Sequence, residues 1–189
     1  MEYPYYKGNQ PPALNYGALG IVIGHEFGHF FDYTSFTQSE HVKSNHKFTN
    51  ESSQNYAKRA ECFLNELSSK FYPETNILMN GRQYIDETIS DLTGIRTSYR
   101  ALKDLENLQK KTVRLAKLVQ YTSDQLFFIS YAQSYCQNAD TNSWQNYALS
   151  GKSHPPNIYR IEMQLYNNND FRKAFNCTLI SEDESCNIW

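Results

Sequence analysis

The sequence predicts a mainly α domain in which two helices, each carrying a pair of polar side chains one turn apart, pack side by side. Three observations carry that prediction. Apolar residues recur at helical rather than alternating spacing along most of the chain. No convincing alternating run appears. The pairs His25/His29 and Glu87/Asp91 are each four residues apart, which puts both members on one helix face.

Taken in order, the first 14 residues are rich in Tyr and Pro and read as an irregular lead-in. A helix is predicted over about 16–33, where Ile21, Val22, Ile23, Phe27, Phe30 and Phe31 make the segment apolar almost all round, as in a buried helix. The next is predicted over about 50–71, with Thr49 or Asn50 as cap and Tyr56, Ala60, Phe63, Leu64, Leu67 and Phe71 at helical spacing. Ile77 to Ile85, around Asn80-Gly81, allows a small hairpin. A third helix is predicted over about 84–108, with Leu102, Leu105 and Leu108 continuing its face. Further helices are predicted over about 123–136 and 157–175. The prolines Pro155-Pro156 stop one element and start the last.

The run His25-Glu26-Phe27-Gly28-His29 has the form H-E-x-x-H. Two neutral imidazole nitrogens on one face can hold Zn²⁺, and Glu26 beside them can take a proton from an attacking water. The alternative is a helix with two surface histidines. The apolar flanks argue against it, because histidines inside a buried helix need partners, which a metal supplies. Glu87 would complete a His₂Glu set and leave a fourth position for water. Asp91 can accept the far N–H of a ligand histidine and fix its tautomer, and Asp32 can do the same for His29. Without the histidine motif, Glu87 and Asp91 would read as a solvated helix face. A third element is Ser153-His154-Pro155-Pro156-Asn157-Ile158-Tyr159-Arg160. It sets His154 on a rigid turn, where an imidazole can stabilise an oxyanion, and Arg160 in a new helix, where it can grip a substrate carbonyl. The plain alternative there is a capped turn with a surface arginine.

These blocks together resemble the catalytic end of the neprilysin family of zinc metallopeptidases, of gluzincin type. The match runs through Asn15-Tyr16-Gly17, Gly20-Ile21-Val22-Ile23-Gly24-His25-Glu26-Phe27-Gly28-His29, Glu87-Thr88-Ile89-Ser90-Asp91, Leu126 to Cys136, His154 to Arg160 and Cys186-Asn187-Ile188-Trp189, in family order and over nearly the whole chain. The resemblance implies a metalloendopeptidase acting on peptides, with hydrophobic preference beside the scissile bond and one Zn²⁺ per chain. It maps His25, His29 and Glu87 onto the zinc ligands and Glu26 onto the catalytic base. It makes Asp91 the proton donor or orienter, His154 the transition-state histidine and Arg160 the substrate-binding arginine. It also implies a Cys62–Cys186 disulfide, while the counterparts of Cys136 and Cys177 bond to an N-terminal region. Those two cysteines are therefore expected to be free, mispaired, or bound to a missing N-terminal lobe. Their Leu126-Phe127-Phe128-Ile129 and Phe171–Phe175 surroundings point to apolar packing.

Several positions depart from the family pattern. A β-branched residue and Thr usually precede the second histidine, with Gly-Phe-Asp after it; here they are Phe27-Gly28 and Phe30-Phe31-Asp32. Asp86 stands where the family has Gly before the ligand Glu. The stretch Thr34 to Phe48 is shorter than usual and lacks a tryptophan pair, and the Asn-Ala-aromatic strand that binds substrate backbone is missing. The expectation is a single unit over 1–189, the C-terminal catalytic part of such a peptidase without its covering lobe. A catalytically inactive zinc-binding interaction module is the alternative, and a purely structural helix pair without metal is a third.

Composition bounds the rest. At 189 residues the chain is one domain's worth. A net charge of −2, with no long Lys/Arg stripe, argues against a nucleic-acid partner. No run of 18 apolar residues predicts a membrane segment, and Met1-Glu2-Tyr3-Pro4-Tyr5-Tyr6-Lys7 does not read as a signal peptide. The 4 cysteines lack a C-x-x-C pattern, so zinc on sulfur is not expected. Scattered cysteines and the sequons Asn50-Glu51-Ser52 and Asn176-Cys177-Thr178 fit an extracellular protein. A fragment or truncated product of a secreted protein or membrane-anchored ectodomain reconciles these features.

Overall fold

The computed structural model describes residues 5–37 and 48–188. Residues 38–47, which hold most of the shortened Thr34–Phe48 stretch, lie outside them, as do 1–4 and 189.

The architecture is mainly α. Helical backbone begins earlier than predicted: α1 (Pro12–Asn15) opens on Pro11-Pro12 and runs through a π turn, Tyr16–Gly20, into α2 (Ile21–Gly28) and a 3₁₀ turn, His29–Phe31. Proline at the first helical position costs no hydrogen bond, so a pair read as lead-in starts the helix. The widened turn leaves the Tyr16 carbonyl to the Ser98 hydroxyl, at 2.7 Å. A short α3 (Tyr33–Thr37) follows.

Thr49 caps α4 (Asn50–Ser68) by accepting from Ser52 N, which settles the choice between Thr49 and Asn50. The hairpin expected around Asn80-Gly81 is not formed. Asn80 instead caps α5 (Gly81–Gln109), accepting from Arg82 N, and among the described residues a single bridge, Phe71 to Leu78, precedes it. Gly81 is required by packing, since a Cβ there would lie 2.5 Å from both the Leu64 carbonyl oxygen and Ser68 Oγ on α4. Beyond Lys110, in the left-handed region, α6 (Ser123–Ser134) opens on a capping box between Thr122 and Gln125. Helix α7 (Thr141–Leu149), capped by Asp140, was not predicted. The segment predicted as one helix over 157–175 is two, α8 (Asn157–Tyr166) and α9 (Asn169–Ala174). The buried Asn167-Asn168 pair divides them. Asn168 caps α9, while Asn167 accepts from Cys186 N and donates to Met163 O and Glu66 Oε2.

Helix α5 is the spine. Its Tyr84, Ile85, Ile89 and Leu92 join Phe36, Tyr56, Ala60, Phe63, Leu67 and Met163 in one core. Its Ile95 and Leu102 join Ala13, Ile21, Leu126, Phe127, Phe128 and Tyr131 in a second. The Cys62–Cys186 disulfide ties α4 to the C-terminal segment beside the first core. Helix α2 lies along α5 at a distance set by small residues. A Cβ on Gly24 would sit 2.9 Å from Gly94 Cα, and one on Gly94 would sit 2.7 Å from the Ile21 carbonyl oxygen.

Two burial expectations are corrected. Helix α2 and the 3₁₀ turn after it are not buried all round: Ile21 is buried, but Ile23, Phe27, Phe30 and Phe31 are exposed, Phe30 at 71%. One face meets α5 and another the polar cluster, and no described element covers the third, which lines an apolar groove of about 430 Å³ with Leu19 and Tyr16. Cys136 and Cys177 are free and exposed rather than packed in apolar surroundings. Each sits just past a helix end, while Phe127, Phe128 and Phe171 turn inward. Among the described residues, no helix is long and apolar enough to cross a membrane.

Candidate metal centre

Helices α2 and α5 bring the two polar pairs face to face. His25 on α2 is buried, and its Nδ1 donates to Asp91 Oδ1 at 2.8 Å. His29, one turn on, donates from Nδ1 to Asp32 Oδ2 at 2.9 Å. Asp32 is itself held, because its Oδ1 accepts from Ser35 N at 2.8 Å. With both Nδ1 atoms engaged, both Nε2 atoms point inward, 3.2 Å apart. Glu87 Oε2 lies 3.3 Å from His25 Nε2, and Glu87 Oε1 lies 3.8 Å from His29 Nε2.

The donors of His25, His29 and Glu87 all fall within 4.8 Å of one another. Glu87 Oε2 is buried without a hydrogen-bond partner among the described residues. It comes within 3.0 Å of His154 Nε2 and 3.3 Å of His25 Nε2, in ion-pair range but off the hydrogen-bonding direction. A buried, ionised oxygen left so is costly unless a cation satisfies it. Two imidazoles and a carboxylate are the donor types zinc takes. The residues present therefore fit such an ion.

The electrostatics follow from this crowding. Burial pulls the His25 pKa down, but the hydrogen bond and charge of Asp91 and the close approach of Glu87 outweigh it and hold the metal-free imidazole at about 9. Burial would raise Glu87, yet its contact with His25 and the neighbouring imidazoles keep it below the usual carboxylate range. Asp91, fully buried, is also held low against its burial, by the Arg160 guanidinium and by His25. Burial lowers His154.

His154 is half exposed on the turn before α8, and its carbonyl accepts from the Tyr147 hydroxyl at 2.9 Å. Arg160 is buried. Its Nε and Nη2 donate to Asp91, while its guanidinium carbon lies 4.7 Å from the centre of the Tyr135 ring. Exposed Glu26 lines a cavity of about 290 Å³ together with His25, His154 and Arg160. Every residue singled out around the motif thus meets at one place.

Four side chains not singled out from sequence belong to this neighbourhood. Tyr5, Ser134 and Tyr135 line the cavity. Ser90 Oγ lies 3.1 Å from His29 Nδ1. Ser90 had a sequence signal, since it follows Glu87 by three residues on the same helix face. The other three had none beyond membership of a matching block or of the lead-in.

A family model described as peptidase family M13 matches residues 1–185. Neprilysin-11 of Caenorhabditis elegans is 31% identical over 193 residues, covering 100% of this chain and 22% of that protein. Endothelin-converting enzyme 1 of Rattus norvegicus is 28% identical over 194 residues, covering 100% of this chain and 25% of that protein. Among solved structures, the Mycobacterium tuberculosis zinc metalloprotease Zmp1 in complex with inhibitor superposes with a TM-score of 0.84 at 22% identity, over 100% of this chain and 29% of that one. A Haemonchus galactose-containing glycoprotein complex superposes at 0.81 and 25% identity, over 98% and 31%. The chain spans about a quarter of the length of the curated relatives it matches.

Proposed function

The chain belongs to peptidase family M13, and on that premise we propose that it is the zinc-binding catalytic part of a metalloendopeptidase that hydrolyses oligopeptides. The observation that carries this is the convergence of His25, His29 and Glu87 beside a cavity lined by Glu26, His154 and Arg160.

One zinc ion per chain, held by His25, His29 and Glu87, would supply Lewis-acid polarisation of the peptide carbonyl and make water a better acid. Glu26, free to face the cavity, takes the proton of the attacking water and passes it to the leaving amine. His154 donates a hydrogen bond to the developing oxyanion. Arg160 steadies a substrate carbonyl from the cavity wall while Asp91 fixes its guanidinium plane. Asp91 stays ionised in this position, so it orients His25 and Arg160 rather than donating a proton.

The Cys62–Cys186 disulfide and the exposed sequons at Asn50 and Asn176 support an extracellular setting. Exposed Cys136 and Cys177 are available to pair with a further lobe. A second reading, an inactive zinc-binding interaction module, is favoured by the uncovered Ile23–Phe27–Phe30 face beside the site. The test is elemental analysis of protein purified without a metal-affinity step, followed by a peptide-cleavage assay with and without chelator. Zinc with chelator-sensitive cleavage supports the peptidase. Zinc without cleavage by this chain supports the module, and no zinc refutes both.

A further inference from the structure

The two histidines are not anchored alike. His25 is held across the helix pair, by Asp91 on α5. The partner of His29 expected from sequence, Asp32, lies only three residues along its own chain and places no constraint between α2 and α5. Ser90 supplies that constraint. Its Oγ lies 3.1 Å from His29 Nδ1, so the same N–H is shared between Asp32 Oδ2 and the serine hydroxyl. Ser90 is fully buried, at 0% exposure, so bulk water does not reach its side of this contact.

The approach depends on Gly28. A Cβ there would sit 2.8 Å from Ser90 Cα and 3.2 Å from Ser90 Cβ, closer than packing permits. Gly28, where the family pattern has Thr, thus lets α2 come near enough for Ser90 to reach His29.

We infer that Ser90 is a positioning residue for the metal centre, its hydroxyl locking the His29 imidazole to the helix that carries Glu87. Consecutive residues of α5, Ser90 and Asp91, then anchor the two histidines. All three proposed ligands are held in one register by a single helix turn. A hydrogen bond to the far nitrogen of a ligand imidazole fixes its tautomer and raises its basicity, and losing one typically weakens metal binding 10–100-fold. The inference rests on His29 being a metal ligand.

The experiment measures zinc dissociation constants of the 189-residue chain by competition with a chromophoric chelator, alongside thermal unfolding of the chelated protein. Ser90→Ala should bind zinc about tenfold more weakly than wild type, with the zinc-free protein still unfolding cooperatively at a midpoint lowered only by the loss of one hydrogen bond. Ser90→Thr, which keeps the hydroxyl, should restore most of the affinity. Ser90→Ala affinity within twofold of wild type overturns the inference. Equal weakening by both variants, with the zinc-free unfolding midpoint of Ser90→Thr at the wild-type value, also overturns it, because the hydroxyl is then not the cause. Absence of zinc from the wild type would instead refute the ligand reading, leaving Ser90 with no centre to position.

Discussion

Arg160 donates from Nε and Nη2 to the carboxylate of Asp91 at 2.7 and 2.6 Å, inside the protein, and Asp91 Oδ1 also accepts from His25 Nδ1. One buried carboxylate thus links α8 to the histidine motif on α2. Removing one member strands the other's charge in a dry site, which costs roughly 3–5 kcal/mol. Asp91→Ala and Arg160→Met should each lose stability on that order in urea unfolding. The double variant should lose clearly less than the sum. Additive losses would show the pair is not coupled.

The same pair predicts an acid limit. Asp91 in the fold titrates below its ordinary 3.8, so the stability it brings is fully present above that value and fades as pH falls through the lower folded value. His25 acts oppositely in the metal-free protein. Its folded pKa, raised from 6.5 to about 9, gives stability that is complete below 6.5 and lost as pH rises towards 9. Chelated protein should therefore lose stability between pH 6.5 and 9, and Asp91→Asn should shrink that loss. Flat stability across this window would refute the protonated His25.

Packing between the two site helices gives a third expectation. A Cβ on Gly94 would sit 2.7 Å from the Ile21 carbonyl oxygen and 2.9 Å from His25 N. Gly94→Ala should push α2 off α5, costing about 1–3 kcal/mol and weakening zinc binding as well. Unchanged zinc affinity in this variant would mean that the helix spacing does not govern the site.

The disulfide makes a fourth. Cys62–Cys186 spans 124 residues of sequence, and its reduction should cost up to about 4–5 kcal/mol. Peptide mapping without reductant should recover Cys62 linked to Cys186, with Cys136 and Cys177 alkylated rapidly because they are exposed. Cys62 recovered with either of those would contradict the fold.

What was legible in the sequence was what periodicity and spacing encode. Pairs four apart on two helices led to His25, His29, Glu87 and Asp91, and the structure brings these four together. What was not legible depends on contacts between segments. Asn80-Gly81 has the composition of a hairpin turn, but Leu64 and Ser68, distant in sequence, make it a helix start. Asn167-Asn168 interrupts α8 and α9 because Cys186 N and Glu66 need the Asn167 amide. The exposure of Phe27 and Phe30 depends on what lies outside α2, which no pattern within α2 records. Ser90 carried a helical-spacing signal, but its meaning appears only where Gly28 lets the two backbones meet.

Glu26 is proposed to act on water beside a zinc ion held by other residues. The most direct measurement compares wild type with Glu26→Gln for zinc content and peptide hydrolysis on the same samples. Equal zinc, near one ion per chain, and hydrolysis reduced by roughly 10²–10⁴-fold or more are expected of Glu26→Gln. Glu26→Gln that cleaves peptides as fast as wild type would contradict this role.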